Sequence, residues 1–84
     1  MNGTPKIVAA KVISDLVVEV TFDTGAKRLF DCRSILDRPG FEVLKNMAAF
    51  RSMTIDPGGY GISWNDMVDL SEYEIWTKGQ SLLA

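Results

Sequence analysis

The residues able to do chemistry concentrate between Gly59 and Trp76. There Tyr60, Trp64, Tyr73 and Trp76 alternate with Asp66, Asp69, Glu72 and Glu74. Aromatic rings can stack on bases or on a ligand, and Trp and Tyr are enriched at protein interfaces. Carboxylates in pairs can run acid/base chemistry or hold a hard cation. Asp31, Asp37 and Asp56 add acids near other loops, but no ligand spacing of a known kind links them. Structural roles are therefore expected for the aspartates, with Asp69 bracing a corner before the last helix through nearby backbone N–H groups. Aromatics in a domain this small serve first as core. What they leave exposed is interface, so Tyr60, Trp64, Tyr73 and Trp76 form the candidate interaction surface.

Other chemistries are removed by composition. The chain has no histidine and one cysteine. Ser-His, Cys-His and His-metal arrangements are therefore excluded. Cys32 would need a nearby cation or helix N-terminus to be reactive, and Arg33 is adjacent. At a strand end it reads more simply as a small core residue. Gly58-Gly59-Tyr60-Gly61 is glycine-rich, but a phosphate cradle wants a strand before it and a helix after. Here a strand follows, so the glycines form a turn. No catalytic residue, metal ligand or cofactor site is expected, and a small-ligand or metal-binding enzyme using the clustered aspartates is the least favoured reading.

At 84 residues the chain is one domain, 1–84, with 1–5 and 80–84 as loose tails. A core this size is modest. Disulfides and metals cannot reinforce it, which leaves self-association as a stabiliser. Nine basic and eleven acidic residues give a net charge of -2, and the cations are scattered. Nucleic-acid binders usually carry a basic excess, so nucleic acid is the alternative partner and another protein, or a second copy, the leading one. No stretch nears the ~20 apolar residues of a membrane helix, so no membrane partner is expected. The first residues lack a signal-peptide run and a lone cysteine suits a reducing compartment. Both indicate the cytoplasm.

The elements that position these residues follow from period and punctuation. Ile7 to Ser14 reads as a strand of ambiguous facing, with Ile7 and Ile13 on one side and Val8 and Val12 on the other. After a turn at Asp15, Leu16, Val18, Val20 and Phe22 share one face at period two. Asp23-Thr24-Gly25 signals a hairpin. Ala26 to Cys32 returns, with Phe30 and Cys32 inward. This is a three-stranded antiparallel meander. A helical turn over Ser34–Leu36 follows. Asp37 and Pro39 can open a short helix over Gly40–Asn46, with Phe41, Leu44 and Ala48 at helical spacing. Phe50 anchors its exit. Arg51–Asp56 and Tyr60–Trp64 form a second hairpin around Pro57-Gly58-Gly59. Tyr60, Ile62 and Trp64 share a face there.

The last helix, Glu72–Lys78, has the best local case. Ser71 and Glu74 match a capping box, and Leu70 with Ile75 a hydrophobic staple. Acids in the first turn and Lys78 in the last suit the dipole. Gly79 stops the helix. Leu82 and Leu83 in the tail are placed to dock on a second subunit. The fold class is α+β: a small antiparallel sheet, a short helix, a β-hairpin and a C-terminal helix packed on the sheet.

Laid out in order, these residues resemble the uncharacterised bacterial family known as domain of unknown function 2442. The matching positions run through most of the chain. They are Leu16 to Phe22 followed by Gly25, then Arg28 and Asp31, Phe41 and Leu44, and Phe50. Ile62-Ser63-Trp64, Asp69-Leu70 and Ile75-Trp76 complete the set. Asn65 stands where the family often has proline, and Trp76 where tyrosine is common. The resemblance implies a small α+β domain with no established activity and no catalytic motif. Some relatives are fused to a helix-turn-helix domain or encoded beside toxin–antitoxin-like partners. That implies a regulatory or protein-binding role, as the partner half of such a pair. This chain has no room for an added DNA-binding domain.

Overall fold

The computed structural model describes residues 3–82. Seven strands and two α-helices, β1 (Ile7–Ser14), β2 (Val17–Phe22), β3 (Lys27–Asp31), α1 (Met47–Arg51), β4 (Thr54–Ile55), β5 (Gly61–Asn65), β6 (Val68–Ser71), α2 (Glu72–Lys78) and β7 (Gln80–Ser81), are joined by short 3-10 turns. They make two antiparallel sheets, one ordered β1-β2-β3-β7 and the other β4-β5-β6. The α+β class and the meander stand.

The period-two face of β2 is the floor of the core. Leu16, Val18, Val20 and Phe22 are buried, as are Phe30 from the return strand and Cys32 just beyond it. Gly25 turns the hairpin at φ 88°. The ambiguity of β1 has a physical cause. Its register with β2 slips between Ile7 and Ala9 and again between Val12 and Ser14. Val8 and Ile13 are the residues at those two bulges, and both point into solvent. A bulge re-aims a side chain and breaks strict alternation. Only Ile7 joins the core outright, with Ala10 and Val12 packed against it.

The middle of the chain departs from expectation. The turn begins at Cys32 and runs to Ile35, capped by the Asp31 carboxylate, which accepts from the Arg33 N–H at 3.0 Å. Asp37 opens no helix. Gly40, at φ 86°, precedes a 3-10 turn over Phe41–Lys45. Asn46 then adopts an extended backbone and breaks the run, and its side chain caps α1 by accepting from Ala49 N–H at 3.0 Å. Phe41, Leu44 and Phe50 are buried, but Ala48 is exposed, and Met47 packs on the core instead.

The second hairpin forms, with Thr54 opposite Ser63 and Ile55 opposite Ile62. Its first strand is shorter than expected because Arg51 ends α1, and Tyr60 precedes β5 and is exposed while Ile62 is buried. Residues 68–71, read as a corner and a cap, are the further strand β6, pairing Leu70 with Ile62 and Asp69 with Ser63. Asp69 thus braces no corner: it lies mid-strand with its side chain exposed. An Asx turn makes the link, the Asn65 carboxamide oxygen accepting from Met67 N–H at 2.8 Å. Helix α2 has the expected bounds, and Leu70 and Ile75 are both buried. Only half of the capping box closes. Ser71 Oγ accepts from Glu74 N–H at 3.1 Å, while the Glu74 carboxylate turns away to Arg38 and Lys78. Gln80 and Ser81 are not loose; they pair with Leu29 and Arg28. Leu82 is exposed, and Leu83, its expected companion in docking, lies outside the described residues.

Candidate functional site

The four aromatics do not form one patch. Trp64 lies half-buried on the second sheet, stacked on Phe50 at 6.0 Å between centroids, with Nε1–H donating to Phe50 C=O at 2.9 Å. Trp76 meets Phe22 edge-on at 5.1 Å. The Arg28 guanidinium covers its other face at 3.9 Å, and Arg28 Nε donates to Trp76 C=O at 3.3 Å. A ring held by an edge contact, a cation and a backbone anchor is framework. Both tryptophans are partly buried and packed against the core.

The tyrosines remain. Tyr60 is 59% exposed and Tyr73 63%. Glu72 N–H donates to Tyr60 C=O at 2.9 Å, which sets the Tyr60 backbone beside the first turn of α2, where Tyr73 follows Glu72 in the chain. Lys6 reaches in from the N-terminal segment, its Nζ 3.0 Å from a Glu72 carboxylate oxygen and 4.6 Å from the Tyr60 ring centre. Two exposed phenol rings on well-anchored backbone, flanked by a polar pair, make a rim suited to contact.

Arg38 grips Glu74 with both guanidinium Nη atoms, one of them at 3.0 Å. That hydrogen-bonded grip, with Lys78 nearby, holds the Glu74 carboxyl below its ordinary range although partial burial opposes it. The pair ties the loop before the 3-10 turn to α2. Cys32 is fully buried, and burial with the adjacent Asp31 charge pushes its thiol up to about 12. It is a core residue whose burial disfavours the thiolate.

Asp56, Asp66 and Asp69 do come near one another, lining a shallow groove with Ser52, Thr54 and Ser63. Ser63 Oγ donates to Asp56 Oδ1 at 2.6 Å. Among the described residues no group of three acidic or cysteine side chains is placed to hold a metal ion.

One surface escaped the sequence reading. The outer face of the first sheet carries Val17, Glu19 and Thr21 from β2, opposite Asp31, Leu29 and Lys27 of β3. Val17 and Leu29 are half-buried yet lie outside the core cluster. Two adjoining grooves cross this face. One of about 680 Å³ runs past Val17, Leu29, Asp31, Arg33 and Lys78, and one of about 230 Å³ past Lys11, Glu19 and Lys27. The alternation of β2 marked this face as outward. The gathering of its cations could not be read, because they come from β1, β3, the Cys32 turn and the end of α2.

The fold and its surfaces define a small two-sheet α+β domain with a tyrosine rim and an open sheet face. The chain belongs to the family described as protein of unknown function (DUF2442), whose model matches residues 7–81. No curated protein and no solved structure matches it. Among the described residues no helix is long and apolar enough to cross a membrane.

Proposed function

We propose that this protein is a non-enzymatic protein-interaction or regulatory module of the cytoplasm, the partner half of a two-protein, toxin–antitoxin-like system. The observation that carries this reading is the tyrosine rim. Tyr60 and Tyr73 expose most of their rings while their backbones are tied together through Glu72. Aromatics that are exposed and already ordered lose little entropy on contact, which is why Tyr is favoured at interface hot spots. Two groups that could do covalent or acid/base chemistry are engaged in the fold: Cys32 in the core and Glu74 on Arg38.

The test is affinity capture on the full chain, with Tyr60→Ser/Tyr73→Ser as the comparison. Wild-type chain recovers one dominant protein, identified by mass spectrometry, and the double variant loses it by at least about tenfold while its melting temperature is kept. Equal recovery by both proteins overturns the rim as the contact surface. Recovery of nothing above a mock bait overturns the reading itself.

A further inference from the structure

Packing leaves the outer face of the first sheet open, since α2 and the second sheet meet its other side through the common core. Its two grooves are lined by four cations, Lys11, Lys27, Arg33 and Lys78, against two carboxylates, Glu19 and Asp31. The local ion pairs are oversubscribed. Lys11 and Lys27 share Glu19, at 3.8 and 3.9 Å. Lys78, 3.6 Å from Glu74, shares that carboxylate with Arg38. Only Arg33 has a carboxylate to itself, Asp31 at 3.0 Å. A chain of net charge -2 thus carries a positive face with apolar Val17 and Leu29 lining its larger groove.

We infer that this face receives an extended acidic segment of a partner protein, whose carboxylates meet Lys11, Lys27 and Lys78 and whose apolar side chains lie on Val17 and Leu29. The inference rests on the reading of the chain as an interaction module, but it uses a surface apart from the tyrosine rim. Three candidates for occupant differ in charge and ring content. A second copy docking face to face would bring surplus cations against surplus cations, and like charge in an interface is costly. A nucleic acid would find no exposed ring for base stacking among the residues lining these grooves, and the whole chain would repel it. An acidic peptide gains from the cations and from the apolar lining of the larger groove.

The experiment is peptide selection from a random display library on the full-length chain, followed by anisotropy titration of the enriched peptides. Acidic, apolar-containing sequences are expected to dominate. Their affinity falls by at least about tenfold between low and high salt, because screening weakens exposed charge contacts. Lys27→Gln/Lys78→Gln reduces binding by about tenfold, and Lys11→Gln alone reduces it too. Tyr60→Ser/Tyr73→Ser leaves it unchanged, which separates this face from the rim. Melting temperatures confirm that each variant is folded. Enrichment of neutral or basic peptides, no enrichment at all, or indifference to the lysine changes overturns the inference. So does a polyuridine oligonucleotide that binds at low salt more tightly than the selected peptides, or sedimentation showing a dimer that the lysine changes dissolve.

Discussion

At the residue scale, Ser71 and Glu74 separate two roles that one motif seemed to join. Ser71 Oγ caps α2, so Ser71→Ala should lower stability by about 0.5–2 kcal/mol, read by urea unfolding. Glu74 works through Arg38 instead. Its folded carboxyl titrates below its ordinary value of 4.5. The stabilisation is therefore present above that value and is lost as pH falls through the folded one. Glu74→Gln should lower stability at pH 7 and flatten the acid limb of the stability profile below about 4.5. An unchanged acid limb in the Gln variant would show that the pair contributes nothing. Local spacing displayed the capping box because Ser and Glu three apart look alike whether or not the Glu returns. It could not display Arg38, 36 residues away in sequence.

At the element scale, two turn glycines make different demands. Gly25 has φ 88° and open space where a Cβ would stand. Gly25→Ala meets backbone strain alone, about 1 kcal/mol. Gly59 has φ 77°, and a Cβ there would lie 2.4 Å from Ile7 O and 2.7 Å from Ile7 N. That approach locks the second hairpin onto the start of β1. Gly59→Ala must strain the backbone and push the sheets apart, so its cost should exceed that of Gly25→Ala by more than about 2 kcal/mol. Equal melting temperatures for the two variants would contradict the close approach. The strands themselves were legible where alternation was clean, as in β2. A brief strand was hidden, as β6 with its four residues, and where two bulges break the alternation of β1 the strand was legible but its facing was not.

At the scale of the whole molecule, Cys32 reports on the core. It touches no solvent, and its thiol is pushed up to about 12. A thiol reagent at pH 8 should leave the native protein unlabelled and label it at the rate of global opening. Reaction within the mixing time would mean that the first sheet opens locally at the Cys32 turn. Charge is also a whole-molecule property here. Net composition argues against a polyanionic partner, yet the grooves on one face collect four cations and two carboxylates.

Period, punctuation and composition in the sequence determined the α+β class, the β2 floor, the Gly25 hairpin, the bounds of α2 and the absence of histidine chemistry. Each depends on neighbours within a few residues, where sterics and hydrogen-bond geometry act directly. Tertiary structure alone decided that Trp64 and Trp76 pack half-buried against the core while Tyr60 and Tyr73 stay exposed, that Glu74 answers Arg38, and that cations from four separate segments share one open face. Those outcomes depend on which distant groups are brought within a few ångströms, and packing settles that only when the whole core closes.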